Sequence, residues 1–222
     1  MEKVASICSA DSRSQPDSRH CLMMNHQLVP MSQLNAGQIR ELARLHYKVM
    51  HSLLSDLGLP FVERYYQIAC AESSVVGVCA LTENRSLLGW AIGSSKPDQL
   101  NGRLREAWLW FASQMLRVLV TRPRLIRQLF ISARSASMKM KQGAIELTYI
   151  GVDSSVRKQG LGRELLNAFL QAARDRGFQS VVLSVEAENK DAIALYTRVG
   201  FKIIHSFIEG RFKRHRMELN FQ

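Results

Sequence analysis

A glycine-rich turn between a strand and a helix is the part of this sequence best suited to chemistry. Residues Val152–Gly162 read VDSSVRKQGLG, in which strand residues lead into a basic turn and two glycines open a helix. The first N–H groups of a helix lack intrahelical partners, and the helix dipole is positive there. Glycine lets an anion approach the backbone closely, and Arg157 and Lys158 add full positive charge. The turn therefore predicts a pyrophosphate-binding cradle.

Two better-known nucleotide motifs do not fit this turn. The dinucleotide fingerprint needs a third glycine three residues after Gly162, and Leu165 stands there. No Gly-Lys-Ser or Gly-Lys-Thr follows, which excludes a Walker-type loop. Taken alone, the turn also fits a glycine-rich connection without a ligand.

Further blocks downstream give the turn its context. The segment Glu188–Tyr196 reads ENKDAIALY, and Val199-Gly200-Phe201 follows it. Together with Arg157-x-x-Gly160-x-Gly162, these blocks make the chain resemble the GNAT acetyltransferase superfamily. The resemblance covers residues 144–207 well, extends more weakly back to Pro30, and is absent before that.

The resemblance implies acetyl-CoA as acyl donor and an α/β (α+β) fold of the GNAT type. The fold has a mixed, mostly antiparallel sheet of six to seven strands, flanked by helices. Its fourth and fifth strands, Ile145–Val152 and Ser180–Val185, should splay apart around the pantetheine arm. Asn189 should contact that arm, and the remaining donor-binding residues implied are Ile150, Gly151, Val152, Arg157, Lys158, Gln159, Gly160, Leu161 and Gly162.

Acetyl transfer to an amine needs a neutral amine, a stabilised oxyanion and a proton for the leaving thiolate. The resemblance places Tyr196 as the acid that protonates the thiolate, one helical turn past Ala192. A backbone N–H near Val152 can serve the oxyanion. A core aromatic with a satisfied hydroxyl is the structural alternative for Tyr196.

Glu146 is the candidate base. A strand period of two places Glu146, Thr148, Ile150 and Val152 on one face, and a carboxylate on a central strand is costly to bury unless it is paired or functional. A structural salt bridge is the equal alternative. The backup bases, His205 and His215, fall in the predicted final hairpin.

The elements that position these residues can be read from local signals. Residues 1–25 read as a flexible tail and residues 26–222 as a single acetyltransferase domain. Asn35 and Gln38 form a capping box before one helix, and Pro60 marks the start of another. The helices expected to carry the chemistry are Gly160–Arg176, stopped by Gly177, and Asp191–Val199, stopped by Gly200.

Residues 94–143 form a basic insertion before the fourth strand. We expect Ser94–Asp98 to interrupt regular secondary structure. Helices should follow over Leu104–Val120 and Leu125–Ile131, and a mobile loop over Ser132–Gly143. Much of the formal net charge of +11 lies here, on Arg103, Arg105, Arg117, Arg122, Arg124, Arg127, Arg134, Lys139 and Lys141. A solvated helix face and a surface for an anionic substrate or membrane headgroups both fit this charge.

The acceptor is less well determined than the donor. Leu54–Phe61 with Arg64, Tyr65 and Tyr66 resembles GNAT members with sugar and surface-polysaccharide functions, which favours an amino sugar or another anionic, amine-bearing small molecule. A protein N-terminal or lysine acetyltransferase and a non-catalytic acyl-CoA sensor remain alternatives. The chain has no nucleic-acid-binding motif, so nucleic acid is a weak expectation despite the charge. Monomer and homodimer stay open.

The four cysteines form no C-x-x-C pair, and no His lies at metal-ligand spacing from any of them in the sequence, so no metal is expected. Cys70 and Cys79 fall in apolar stretches and read as inert core residues. A reduced, cytoplasmic compartment fits best. The longest apolar run, Ala107–Val120, is too short to span a bilayer and is interrupted by polar residues, so we expect a soluble protein.

Overall fold

The structure is a computed structural model, and it describes residues 25–50, 52–106, 112–114, 116–117, 141–209 and 212–221. The predicted tail (apart from Asn25), the predicted helix Leu125–Ile131 and most of the predicted loop Ser132–Gly143 lie outside these ranges. In chain order the elements are β1 His26–Pro30, α1 Ala36–Val49, α2 Leu53–Leu57, α3 Leu59–Ala71, β2 Val75–Thr82, β3 Leu87–Ser94, α4 Pro97–Glu106, β4 Ala144–Val152, α5 Leu161–Asp175, β5 Ser180–Glu186, α6 Lys190–Val199, β6 Lys202–Glu209 and β7 Phe212–Asn220, with 3-10 turns at Met31–Gln33 and Ser154–Val156.

Seven strands form one sheet in the order β1-β2-β3-β4-β5-β7-β6. Neighbouring strands are antiparallel except β4 and β5, which run parallel. The prediction of a mixed, mostly antiparallel sheet of six to seven strands flanked by helices is confirmed. The parallel pair matters most, because parallel strands present their carboxyl ends at the same edge of the sheet.

Helices cover both faces of the sheet with two separate apolar clusters. On one face, α1 and α3 pack against β2 and β3 around Tyr66, Phe61 and Trp90, which are at most 1% exposed. On the other face, α5 packs against β2, β3 and β4 through Leu165 and Phe169, which are fully buried. The sheet is thereby the middle of three layers.

The contacts and backbone conformations predicted at the helix ends are present in the structure. The Asn35 side chain accepts from the Gln38 backbone N–H at 2.9 Å and the Gln38 side chain accepts from the Asn35 N–H at 3.0 Å, which completes the capping box. Helix α3 has proline in its first turn, as expected for Pro60. Gly177 and Gly200 follow α5 and α6 with φ of +78° and +109°, a conformation that glycine adopts without strain.

The start of the insertion differs from the prediction. Residues 94–98 were expected to break the chain, but α4 begins at Pro97. Proline suits the first turn of a helix because its missing N–H would have no intrahelical partner there. Helical structure therefore begins seven residues before the expected start at Leu104. Within the expected range Leu104–Val120, the structure describes helix up to Glu106 and at 112–114 and 116–117.

A bulge in β4 changes which side chains share a face. Ile92 pairs with Tyr149 and Gly93 with Leu147, so Thr148 is an extra residue on β4. Leu147 packs in the α5 cluster, Tyr149 contacts the α1–α3 cluster, and Ile150 returns to the α5 side. The expectation that Glu146, Thr148, Ile150 and Val152 share one face is therefore wrong.

Cys70 and Cys79 are free thiols set in the α1–α3 side of the core. Cys79 is fully buried and Cys70 is partly buried. Burial raises the pKa of the Cys70 thiol to about 11 and that of Cys79 well above its ordinary range. Both are protonated at neutral pH, in agreement with inert core residues.

Candidate active site

Strands β4 and β5 separate along their length and leave a wedge between them. They pair at four positions only, from Ala144 with Ser180 to Leu147 with Leu183. Beyond these pairs β4 continues along β3 and β5 continues along β7. The predicted splay of the fourth and fifth strands is therefore present. On the side of β5, residues 150–152 of β4 have no strand partner among the described residues, so an extended ligand can pair with this edge as an added strand would.

The loop at the open end of the wedge is anchored by Asp153. Its carboxylate accepts from the Ser155 N–H at 2.9 Å and the Ser155 Oγ at 2.7 Å. Lys48 Nζ of α1 lies 3.1 Å from the same carboxylate, and the Asp153 N–H donates to Leu88 O at 2.8 Å. The hydrogen bonds from Ser155 lower the pKa of Asp153 to about 2. The loop therefore leaves β4 in a fixed direction.

The phosphate cradle predicted at residues 157–162 forms the turn into α5. Arg157, Lys158, Gln159 and Gly160 are exposed, and Arg157 Nε donates to Val152 O at 3.3 Å. Lys158 and Gly160 have φ of +62° and +91°, and Gly160 is the residue that precedes the helix. Two left-handed residues within three positions turn the backbone sharply, so that the α5 N-terminus lies beside two cationic side chains.

Space around Gly162 supports the binding interpretation. A Cβ built on Gly162 would meet only Val152 Cγ2, at the ordinary contact distance of 3.8 Å. Packing within the described residues therefore does not require glycine at this position. A ligand that approached the helix N-terminus closely would require it.

Asn189 caps helix α6 at the carboxyl end of β5. Its Oδ1 accepts from the Ala192 N–H at 3.1 Å, and its side chain is exposed. The side chain thus has a structural role that its position before a helix would have predicted. Its contact with a pantetheine arm stays a prediction.

Tyr196 lies on α6 and is 7% exposed. Its ring centroid is 5.8 Å from that of Phe201, and it packs in the α5 cluster. Burial raises the pKa of Tyr196 to about 12, so the phenol keeps its proton at neutral pH. That protonation state suits an acid, and the packing suits a core aromatic; both interpretations remain.

Glu146 forms an ion pair with Arg216. A structural salt bridge was the predicted alternative to a role as base. Its Oε1 accepts from Arg216 Nη1 of β7, and the same Nη1 donates to Ser184 Oγ of β5 at 3.0 Å. The side chains of Glu146 and Arg216 are 23% and 10% exposed. The carboxylate therefore lies at the narrow end of the wedge, partly accessible and already paired; its role as base stays a prediction.

The two backup histidines lie on the final hairpin. His205 is exposed on β6, with its ring centroid 6.2 Å from that of Phe207. His215 on β7 is half-buried, and its Nδ1 lies 2.7 Å from Ser206 Oγ. Neither ring is hydrogen-bonded to a residue of the cradle or to Tyr196 among the described contacts.

Sequence reasoning missed Arg216, Ser184 and His46. On β7 the residues Arg214, Arg216 and Glu218 alternate with apolar or aromatic neighbours, a signal that they share a face. Which carboxylate Arg216 meets depends on the register of strands about 70 residues apart, and no local pattern contains that register. His46 lies on α1 and is fully buried.

Within the part of the chain that the structure describes, no group of three or more His, Cys, Asp or Glu side chains is arranged to hold a metal ion. Every described helix is also too short or too polar to traverse a lipid bilayer.

A wedge between parallel strands beside a basic helix N-terminus is the arrangement of an acyl-CoA-binding acyltransferase fold. Residues 45–201 match the model of the Acetyltransferase (GNAT) family, and the chain belongs to that family. Members of the family use acetyl-CoA as acyl donor.

Named relatives and solved structures agree with this assignment. The mycothiol acetyltransferase of Clavibacter sepedonicus is 42% identical over 124 residues, 49% of this chain and 36% of that protein. Human N-acetyltransferase 8 is 36% identical over 63 residues, 28% of each chain. The crystal structure of the Escherichia coli ribosomal-protein-S18-alanine N-acetyltransferase has a TM-score of 0.55 at 16% identity, over 88% of this chain and 94% of that one. The matched segments span only 28% and 36% of the length of these two curated relatives.

Proposed function

We propose that this chain is an N-acetyltransferase that moves an acetyl group from acetyl-CoA to the primary amine of a small molecule. The observation that carries the proposal is the wedge between β4 and β5, which opens directly onto the cationic cradle at the α5 N-terminus. A donor with a pyrophosphate and an extended amide-bearing arm fits both parts at once. The acceptor bears an anionic group, as an amino sugar phosphate does.

The donor is held by backbone and charge. Arg157, Lys158 and the N–H groups of Gln159, Gly160, Leu161 and Gly162 bind the pyrophosphate. The inner edge of β4 at Ile150, Gly151 and Val152 bonds the pantetheine arm like an added strand, and Asn189 contacts it from α6. These residues are exposed or half-buried apart from Leu161, so a ligand can reach them.

The reaction is direct attack within a ternary complex. The amine nitrogen forms a bond to the thioester carbonyl carbon, the C–S bond breaks, and Tyr196 gives its proton to the leaving thiolate. Glu146, directly or through a water, takes the proton that the amine loses. A backbone N–H near Val152 stabilises the oxyanion that develops on the carbonyl oxygen.

Thiol release from acetyl-CoA tests the proposal, measured across amino sugars, their phosphates, amino acids, polyamines and peptides. Turnover with small anionic amines supports it. Turnover with peptides alone moves the assignment to a protein N-terminal or lysine acetyltransferase. Tight acetyl-CoA binding without turnover on any amine indicates a sensor, and absence of acetyl-CoA binding overturns the donor assignment altogether.

A further inference from the structure

Arg216 connects three strands at the narrow end of the wedge. It sits opposite Ser184 in the β5–β7 ladder, and its Nη1 bonds both Ser184 Oγ and Glu146 Oε1. Glu146 forms the third of the four β4–β5 pairs, and Ser184 is the first β5 residue beyond the fourth pair. The ion pair therefore lies where the strands part.

The pair faces away from α5. Ile145 and Leu147, on either side of Glu146, pack in the α5 cluster, so the Glu146 side chain points to the opposite face of the sheet. A donor bound at the α5 N-terminus and along the wedge leaves this opposite face for the acceptor. Glu146 and Arg216 therefore lie on the acceptor side.

Neither side chain is saturated by the described residues. An arginine has five N–H donors on three nitrogens, and Arg216 bonds the described residues through Nη1 alone. A carboxylate has two oxygens, and Glu146 accepts from the described residues through Oε1 alone. A positive and a negative group thus remain side by side with further bonding capacity, partly exposed.

Three ion pairs of described residues lie on this face. Besides Glu146 with Arg216, Arg214 lies 4.0 Å from Glu186 and Lys141 lies 2.9 Å from Glu218. Each pair presents a positive and a negative group side by side. A molecule with both charges meets a complement for each.

Resting on the proposed function, we infer that the acceptor is a zwitterion whose amine stands next to a carboxylate or a phosphorus oxyanion. The oxyanion accepts from the free N–H groups of Arg216, and the amine lies at Glu146, which orients it toward the wedge and takes its proton. Ion pairing alone does not explain the arrangement, since buried pairs often contribute little net stability over apolar residues.

Matched amines test the inference with the full-length chain. The pairs are phenylalanine against phenethylamine, for a carboxylate, and 2-aminoethylphosphonate against ethylamine, for a phosphorus oxyanion. The second amine of each pair lacks the oxyanion and is called the uncharged-tail amine. We expect kcat/KM for the zwitterion to exceed that for the uncharged-tail amine by about 30-fold, which corresponds to the free energy of a charge-assisted hydrogen bond. The pair that shows the larger ratio identifies the oxyanion.

Arg216→Gln should remove that preference. Its kcat/KM for the zwitterion should fall about 30-fold more than its kcat/KM for the uncharged-tail amine, mainly through KM, because loss of the Glu146 partner affects both amines and loss of the oxyanion contact affects only the zwitterion. Arg216→Lys should restore part of the preference, and Lys213→Gln, an exposed cation on the same strand, should leave it intact. If Arg216→Gln does not fold, Arg216→Lys and Ser184→Ala supply the comparison, with a loss that is smaller than in Arg216→Gln and larger for the zwitterion than for the uncharged-tail amine.

The outcomes separate this inference from the proposed function. Equal turnover of zwitterions and uncharged-tail amines, or equal losses for both in Arg216→Gln, overturns the inference and leaves acetyl transfer standing. Absence of turnover with every amine in the wild-type protein overturns the proposed function itself.

Discussion

His46 Nδ1 lies 2.7 Å from Tyr66 Oη, with both side chains fully buried between helices α1 and α3. On its other side, His46 Nε2 lies 3.1 Å from Ser52 Oγ, which in turn lies 3.1 Å from Ser55 Oγ. The imidazole also meets the ring of Tyr149 on β4, with centroids 4.7 Å apart. One buried histidine thus ties α1, α2 and α3 to the strand that borders the wedge.

This histidine should make stability depend on pH. Burial lowers the pKa of His46 to about 4 from an ordinary value near 6.5. Between these values the unfolded chain binds a proton that the folded chain does not, so folding loses stability as pH falls from 6.5 toward 4. We expect a loss of about 2 kcal/mol at pH 5 relative to pH 7.5 from this group.

Urea unfolding of the wild type and His46→Gln at pH 7.5 and pH 5 measures this loss. The variant is less stable at pH 7.5 because Tyr66 and Ser52 lose a partner, but its stability should change less between the two pH values. His205→Gln, at an exposed ring on β6, is the control and should keep the wild-type slope. An unchanged slope in His46→Gln would show that His46 does not carry the effect.

Gly162→Ala should separate ligand binding from folding. The new methyl group meets only Val152 Cγ2 at 3.8 Å, so the fold accommodates it. Acetyl-CoA affinity should fall about 10-fold, because the methyl occupies space that a phosphate needs at the helix N-terminus. Gly102→Ala on α4 is the matched control, since a Cβ there meets nothing within 4 Å.

Calorimetric titration with acetyl-CoA and a thermal melt of each variant give the two quantities. Both variants should melt at or above the wild-type temperature, because alanine is favoured over glycine within a helix. Equal acetyl-CoA affinity in Gly162→Ala and wild type would remove the steric argument for a phosphate site at this position.

Local signals in the sequence predicted much of the fold. Asn35 with Gln38, Gly177 and Gly200 mark helix ends through contacts within a few residues, and those contacts are present. The splay of β4 from β5 was also predicted, but from the family resemblance rather than from strand periodicity. The proposed donor-site residues therefore rest on the motif, and the structure adds their exposure and backbone conformation.

Long-range features could not be read from the sequence in this way. The Thr148 bulge interrupts the period of two within β4, and nothing in its residue type signals the extra position. The Glu146–Arg216 pair depends on how β4, β5 and β7 align. Both features decide which side chains lie on the face that we propose for the acceptor, and sequence reasoning described that face least well.

Backbone strain at Lys158 gives a test that distinguishes charge from conformation. Lys158 and Arg85 both have φ of +62°, a region that costs a side-chain-bearing residue about 1 kcal/mol and that asparagine tolerates better. Lys158→Asn and Arg85→Asn should each raise the free energy of unfolding by about 0.5 kcal/mol. Only Lys158→Asn should weaken acetyl-CoA binding, by about 3- to 10-fold, because only it removes a cradle charge.

Acetyl-CoA titrations at low and high salt, alongside urea unfolding, separate the two effects. The difference in affinity between Lys158→Asn and wild type should shrink at high salt, where exposed charges are screened. A loss of affinity in Arg85→Asn, whose residue lies in the β2–β3 turn, would mean that the two turns are coupled and that charge is not the cause.

Tyr196→Phe tests the acid assigned to the leaving thiolate. The buried phenol has a pKa of about 12 and so carries its proton throughout the neutral range. Removing the hydroxyl leaves the packing against Phe201 in place, so the fold and the acetyl-CoA affinity should be unchanged. The rate of acetyl transfer should fall about 100-fold, the usual contribution of a positioned acid.

Single-turnover thiol release measures the acetyl-transfer step free of product release. Tyr47→Phe, at an exposed ring on α1, is the control and should retain the wild-type rate. A wild-type transfer rate in Tyr196→Phe, with a change in melting temperature only, would assign this tyrosine to the core and require another proton donor.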